Sequence, residues 1–314
     1  MIKLKHTTIV IGLRIDSRSR LNNTIATVSY ILQNVDCPVI VYEVDKESKF
    51  RRDALNTIRH FADTKRLRHI FEKRMDGQFN YADVSNKAIA AANTKIVFHC
   101  DCDFIIPQDS YKKAEEAILN GAHVVYPFKG PGKIKNVQLN NKTLFMHLLK
   151  KRRIDVLNKG RMHRWLYPYG LGKFVDKDKF FAIGGLHDGM KSYGPEDSEF
   201  FFRARKLGMN IKRLETGGWH LFHSRRTKGW FNNNPHAGKN NSISMATKFG
   251  SREEVIKKFN IDVKKLEQWG CQMPPSDDTI INTTEETTPN DDSQARSKRQ
   301  VQRVRSRLPR NGSS

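Results

Sequence analysis

With 314 residues, 38% of them apolar, the chain can hold one large domain or two small ones around a sizeable core. Its 56 Lys and Arg against 33 Asp and Glu leave a net charge of +23, which favours a polyanionic partner such as nucleic acid, anionic polysaccharide or a phosphorylated ligand. The four cysteines lack paired zinc spacing and read as reduced thiols of a cytoplasmic protein, and no apolar run is long enough for a signal peptide, an anchor or a bilayer span.

The first 107 residues alternate between strand and helix periods. TTIVIGL (7–13) is a strand, and 20–34 is helical, with Leu21, Ile25, Val28 and Leu32 on one face. CPVIVYEV (37–44) is the second strand, followed by a helix near 50–62. LRHIFEK (67–73) is the third strand, ADVSNKAIAAAN (82–93) a helix, and KIVFHC (95–100) the fourth strand. Repeated β-α units imply an α/β fold with a parallel sheet covered on both faces, whose ligands bind beyond the carboxyl ends of the strands. Asp101 and Asp103 follow the fourth strand, at that edge.

A helix over about 110–120 and the strand AHVVYPF come next; 129–172 is irregular, with KKRR at 150–153 and the stretch RMHRWLYPYG. EDSEFFFRARKLG (196–208) is a helix, and IKRLE and GGWHLFH are short strands. Residues 224–250, polar and Asn-rich, read as a mobile loop and candidate lid. One last helix runs near 251–268. Residues 272–314 lack apolar periodicity and read as a disordered tail. That tail holds seven basic and six acidic side chains, a net of +1, so +22 of the charge belongs to residues 1–271.

Three stretches carry chemistry. In HCDCDFIIP (99–107), two acids at a buried edge repel each other unless a cation neutralises them, so Asp101 and Asp103 are candidate ligands for a divalent ion and a diphosphate. In IGGLHDGMKSYGPEDSEF (183–200), glycines allow close backbone approach, and Glu196 and Asp197 open a helix as a candidate general base and its neighbour. Acids in a first helical turn are also favoured by the helix dipole alone. In WHLFHSRR (219–226), strand alternation sends His220 and His223 to opposite faces, so at most one of them need be a metal ligand.

In this order the blocks FNYADVSNKAIAAAN, HCDCDFIIP, FAIGGLHDGMKSYGPEDSEFFFRARKLG and WHLFHSR resemble the GT-A glycosyltransferases that include β-galactosyltransferases and chondroitin-polymerising enzymes, over roughly residues 7–235. The resemblance implies a single GT-A domain over 1–271, a Rossmann-like mixed sheet with helices on both faces. Residues 1–107 would form the nucleotide-sugar half and 108–271 the acceptor half. It implies Mn2+ or Mg2+ and a UDP-sugar donor, with Asp103 and His223 on the metal and Asp101 between metal and donor. His220 falls where the family has a methionine ligand. Arg14, Phe79, Asn80 and Asn86 match donor-contacting positions, and Asp197 matches the base, with Glu196 on the acceptor. Tyr193, Gly194 and Trp165 join Glu196 as candidate acceptor contacts. Tyr81 and Tyr193 stand where the family often has arginine and tryptophan, and Pro195 replaces a glycine.

The charge and the absence of an anchor favour DNA as the acceptor. Tailed phages carry soluble, basic glycosyltransferases that modify hydroxymethylated pyrimidines, and this chain is similar in profile, which would place it in a host cytoplasm. A capsular or glycosaminoglycan-like polysaccharide is the alternative acceptor, and a non-catalytic nucleic-acid-binding protein on the same fold is the alternative of a different class.

Overall fold

β-Branched runs pair in parallel where the sequence places them. Thr7–Leu13 lies between Val39–Asp45 and Ile96–Cys100, with Leu67–Lys73 on the outer edge. All seven residues of Thr7–Leu13 are buried, as a strand covered on both faces requires. The computed structural model describes residues 1–75, 79–130, 133–139, 142–162, 169–223 and 234–271. Trp165, part of the proposed lid and the 272–314 segment lie outside them. The described residues belong to one compact unit, Met1–Met273.

The parallel set makes up four strands of a seven-stranded sheet. Beyond Ile96–Cys100 come Gly172–Asp176, Val124–Tyr126 and Ile211–Arg213. Gly172–Asp176 runs antiparallel to both of its neighbours, so the sheet is mixed. This strand begins at the end of the 129–172 stretch expected to be irregular, and the sequence reading assigns no element to its other residues. GKFVD carries a lysine and an aspartate, yet all five residues are buried. Its charges are satisfied in three dimensions, Lys173 by Asp197 and Asp176 by capping the helix Lys177–Ala182.

A second, four-stranded sheet sets the site. Gly218–Leu221 pairs antiparallel with Phe104–Ile105 and parallel with Ile134–Val137, whose other neighbour is Arg161–Met162. The pairing places His220 opposite Phe104 on one side and Asn136 on the other. It thereby brings the chain after the fourth parallel strand against the histidine segment.

Two expectations are corrected. Within the stretch read as a loop over 224–250, Ala237–Phe249 is a helix. Its buried face is Ala237, Asn240, Ser244 and Thr247, small and polar, so it leaves no apolar stripe to read. Hydrogen bonds replace that stripe, as Thr247 donates to Glu199 and Asn240 donates to the carbonyl of Lys191. The expected single last helix is two, Arg252–Phe259 and Val263–Gln268, parted at Asn260 in the left-handed region (φ 49°). Among the described residues no helix is long and apolar enough to cross a membrane.

Candidate active site

The strand Ile96–Cys100 ends as its chain turns, and Asp103 is carried into the space between the sheets, 3% exposed. The backbone N–H of Leu221 donates to the Asp103 carbonyl at 2.7 Å, locking the two segments together. Asn23, from the helix Arg18–Asn34, donates to the carbonyls of Leu221 and Phe222 and fixes the exit of the histidine strand. The strand stops at Leu221, so alternation no longer governs His223, and both histidines turn to Asp103. His223 Nε2 lies 3.1 Å from one carboxylate oxygen and His220 Nε2 3.9 Å from the other.

The donor set fits a divalent ion. One ligand atom each from Asp103, His220 and His223 lies within 4.8 Å of the others. His220 Nδ1 bonds the Asn136 side-chain oxygen at 2.7 Å, which leaves Nε2 as the coordinating nitrogen. Burial opposes the charge of Asp103, but the hydrogen bond from His223 and the charges of His220 and Arg20 outweigh it and hold the pKa at about 2.

Arg20 escaped the sequence reading. It lies in the first turn of a helix whose Ser17 cap accepts from its own backbone N–H at 3.2 Å, a position that draws attention as a cap rather than as a site. Its guanidinium approaches Asp103 to 3.9 Å, lies 3.4 Å from His223 Nε2 and bonds Asp16 at 3.2 Å. Burial works against its charge, yet Cys102, Tyr193, Asp103 and Asp16 together raise its pKa.

Asp101 faces a different group. Tyr81 donates its hydroxyl to Asp101, and the Asp101 N–H reaches the Leu171 carbonyl at 2.9 Å. Burial and the charges of Asp103 and Asp197 raise the Asp101 pKa to about 7, against the opposing pull of Tyr81 and Lys173. Asp101 is thus bonded to Tyr81 and is not among the three converging residues.

Glu196 and Asp197 open the helix Glu196–Lys206. Glu196 is buried and accepts the Gly194 N–H at 2.7 Å; burial, then the charge of Asp197, push its pKa well above the usual range. Asp197 is bound by the ammonium of Lys173, a residue that sequence reasoning missed because its strand went unread. Gly170 lies against the other oxygen: a Cβ there would come to 2.8 Å from Asp197 Oδ2.

Arg14, Phe79, Asn80 and Tyr193 line one cavity of about 320 Å3, with Asp16, Ser192 and His236. Rings link this cavity to Asp101, since Tyr193 lies 5.5 Å from Phe79 and 6.3 Å from Tyr81. Asn80 accepts the Ser192 N–H at 2.8 Å, and Ser192 has a positive φ of 62°. Asn86 is occupied otherwise. Its amide donates to the Leu186 carbonyl and accepts the Leu186 N–H, bracing the Gly184-Gly185 turn. Gly185 (φ 60°) admits this contact, as a Cβ there would come to 2.8 Å from the Asn86 oxygen.

The chain thus places Asp103 just beyond a parallel strand, beside His220 and His223, and the acids Glu196 and Asp197 at a helix start. It matches the family described as glycosyltransferase-like family 2 over residues 8–271. The chain belongs to that family. It is a glycosyltransferase with a GT-A type of fold, and its family typically uses a nucleotide-sugar donor and a divalent metal. No curated protein matches the chain. The matched span includes all described residues of both clusters and of the cavity. Asp103, His220 and His223 stand as candidate metal ligands on their geometry, and Asp197 as a candidate base on its place at the helix start.

Proposed function

We propose that this glycosyltransferase is metal-dependent and inverting, and moves a hexose from a UDP-sugar to a hydroxyl on modified DNA, either a hydroxymethylpyrimidine or a sugar already attached to one. The observation that carries the catalytic part is the convergence of Asp103, His220 and His223 beside a cavity that reaches, through Tyr193 and Tyr81, to Asp101. In this reading Arg14, Phe79 and Asn80 hold the nucleotide, and Asn86 acts on the donor pocket only by bracing Leu186. Asp103, His220 and His223 would hold Mn2+ or Mg2+, which would neutralise the charge of the leaving diphosphate. Arg20 adds a fixed guanidinium on the same side.

On the acceptor side, Asp197 takes the hydroxyl proton. The acceptor oxygen bonds to the anomeric carbon as the bond to UDP breaks, and that electron pair leaves on the diphosphate. Glu196, buried and with its pKa pushed well above the usual range by burial and by Asp197, holds the acceptor rather than taking its proton. Tyr193, 40% exposed at the cavity, and Gly194 line the acceptor approach. Attack from the face opposite the leaving group inverts the anomeric configuration.

Charge favours DNA as the acceptor. Residues 1–271 carry +22, and Lys150, Lys151, Arg152 and Arg153 are all exposed. A base inside a duplex cannot reach a pocket at a sheet edge unless it is flipped, whereas a hydroxyl or sugar projecting into the major groove can. Radiolabelled UDP-sugars offered with Mn2+ to hydroxymethylcytosine DNA, glucosylated DNA and chondroitin-type polysaccharide test the proposal. Label on DNA that disappears in chelator supports it. Label on polysaccharide alone overturns the DNA assignment, and label on DNA in chelator overturns the metal.

A further inference from the structure

We infer that Lys173 is a positioning residue for the transfer step: it clamps the Asp197 carboxylate by one oxygen and leaves the other presented to the acceptor. The inference rests on the glycosyl-transfer reading above. Lys173 is 1% exposed, in the middle of the sheet between Ile96–Cys100 and Val124–Tyr126. Its ammonium bonds Asp197 Oδ1 and lies 5.7 Å from the Phe200 ring centroid. A lysine in such a place is costly, and an apolar side chain of similar volume in its strand would serve packing as well or better. Asp197 does not need the lysine for solvation, since its own side chain is 18% exposed. The buried cation is therefore explained by what it does to Asp197.

Three features show what that is. Asp197 stands beside Glu196 on its own helix and within electrostatic reach of Asp101, Tyr81 and Tyr126 from the elements packed around it. Of the charged groups bonded to it, Lys173 is the cation. Unclamped, the Asp197 carboxylate is repelled by the neighbouring acids and free to rotate. Clamped, it sets Oδ2 close against Gly170, where a Cβ would come to 2.8 Å from that oxygen and displace it. The lysine thus fixes the direction of the Asp197 carboxylate.

The test is a double-mutant cycle on the full chain, with Lys173→Met, Lys173→Arg and Asp197→Asn alone and combined. It uses UDP-glucose and Mn2+ with hydroxymethylcytosine duplex DNA, or chondroitin oligosaccharide if the acceptor panel selects it. Lys173→Met is expected to lower kcat on the order of a hundredfold, with KM for UDP-glucose and calorimetric UDP affinity unchanged within about twofold. Lys173→Arg should recover part of the loss, and Lys173→Met should cost nothing further in the Asp197→Asn background. Losses that multiply in the double variant, or a Lys173→Met protein that loses UDP affinity but keeps kcat, overturn the inference. If Lys173→Met fails to fold, Lys173→Arg carries the same cycle: full coupling to Asp197→Asn supports the clamp, and independent effects overturn it. A wild-type protein that transfers to neither acceptor counts against the transfer reading itself, whereas transfer without coupling counts against Lys173 alone.

Discussion

At Asp103 two imidazoles and a guanidinium surround a carboxylate that burial alone would push towards neutrality. Its folded pKa of about 2 lies below the unfolded value of about 3.9, so its stabilising contribution is present above pH ~4 and is lost as pH falls through 2. Asp103→Ala should abolish Mn2+ binding and sugar transfer while the far-ultraviolet circular dichroism stays that of the wild type. Retained Mn2+ affinity by calorimetry would remove the triad from the account. Asp101 has the opposite sign. Its pKa is raised to about 7, so between pH ~4 and 7 the folded state holds a proton that the unfolded state has released. Stability of the metal-free protein from this group therefore falls as pH rises through that window. Asp101→Asn removes this slope, and the difference between the wild-type and variant urea midpoints across pH isolates it. Identical pH curves for the two proteins would contradict the assignment.

The helix Glu196–Lys206 bears the acids at its first turn and is anchored by a pair farther along, Glu199 and Arg203, both 0% exposed. Arg203 also donates to the carbonyls of Ile183 and Gly185 and stacks 4.1 Å from the Phe259 ring. One arginine thus ties this helix to the glycine turn and to the helix Arg252–Phe259. Arg203→Met leaves Glu199 buried and uncompensated, and should cost about 3–5 kcal/mol in denaturant unfolding. A loss within about 0.5 kcal/mol would show that the pair is not an anchor. What was legible in the sequence follows from the same elements. The parallel strands could be read because their burial is written in β-branched residues, and the DCD and PED acids because they interrupt or cap regular patterns. Gly172–Asp176 and Ala237–Phe249 could not be read. Their buried faces hold Lys173, Asn240 and Thr247, polar groups whose partners are distant in sequence. The convergence of His220 with His223 was hidden for another reason, since it depends on where a four-residue strand stops.

Over the whole molecule the basic excess is an electrostatic statement about partners rather than about the fold. If phosphates supply the affinity, DNA binding should weaken with salt at a log–log slope of about −0.9 per neutralised phosphate. Replacing Lys150, Lys151, Arg152 and Arg153 by serine should make that slope shallower and leave UDP affinity unchanged, because these exposed residues do not line the cavity of Arg14, Phe79 and Asn80. An unchanged slope would move the acceptor surface elsewhere. The central claim is that the strand-end metal cluster and the helix-opening acids form one transferase site, with Asp197 as its base. The measurement that tests it most directly is the single-turnover transfer rate of Asp197→Asn at saturating UDP-sugar and Mn2+, alongside its UDP affinity. The account predicts a rate lower by roughly a hundredfold to ten-thousandfold with UDP affinity preserved. A near wild-type rate, or UDP affinity lost in step with the rate, would contradict it.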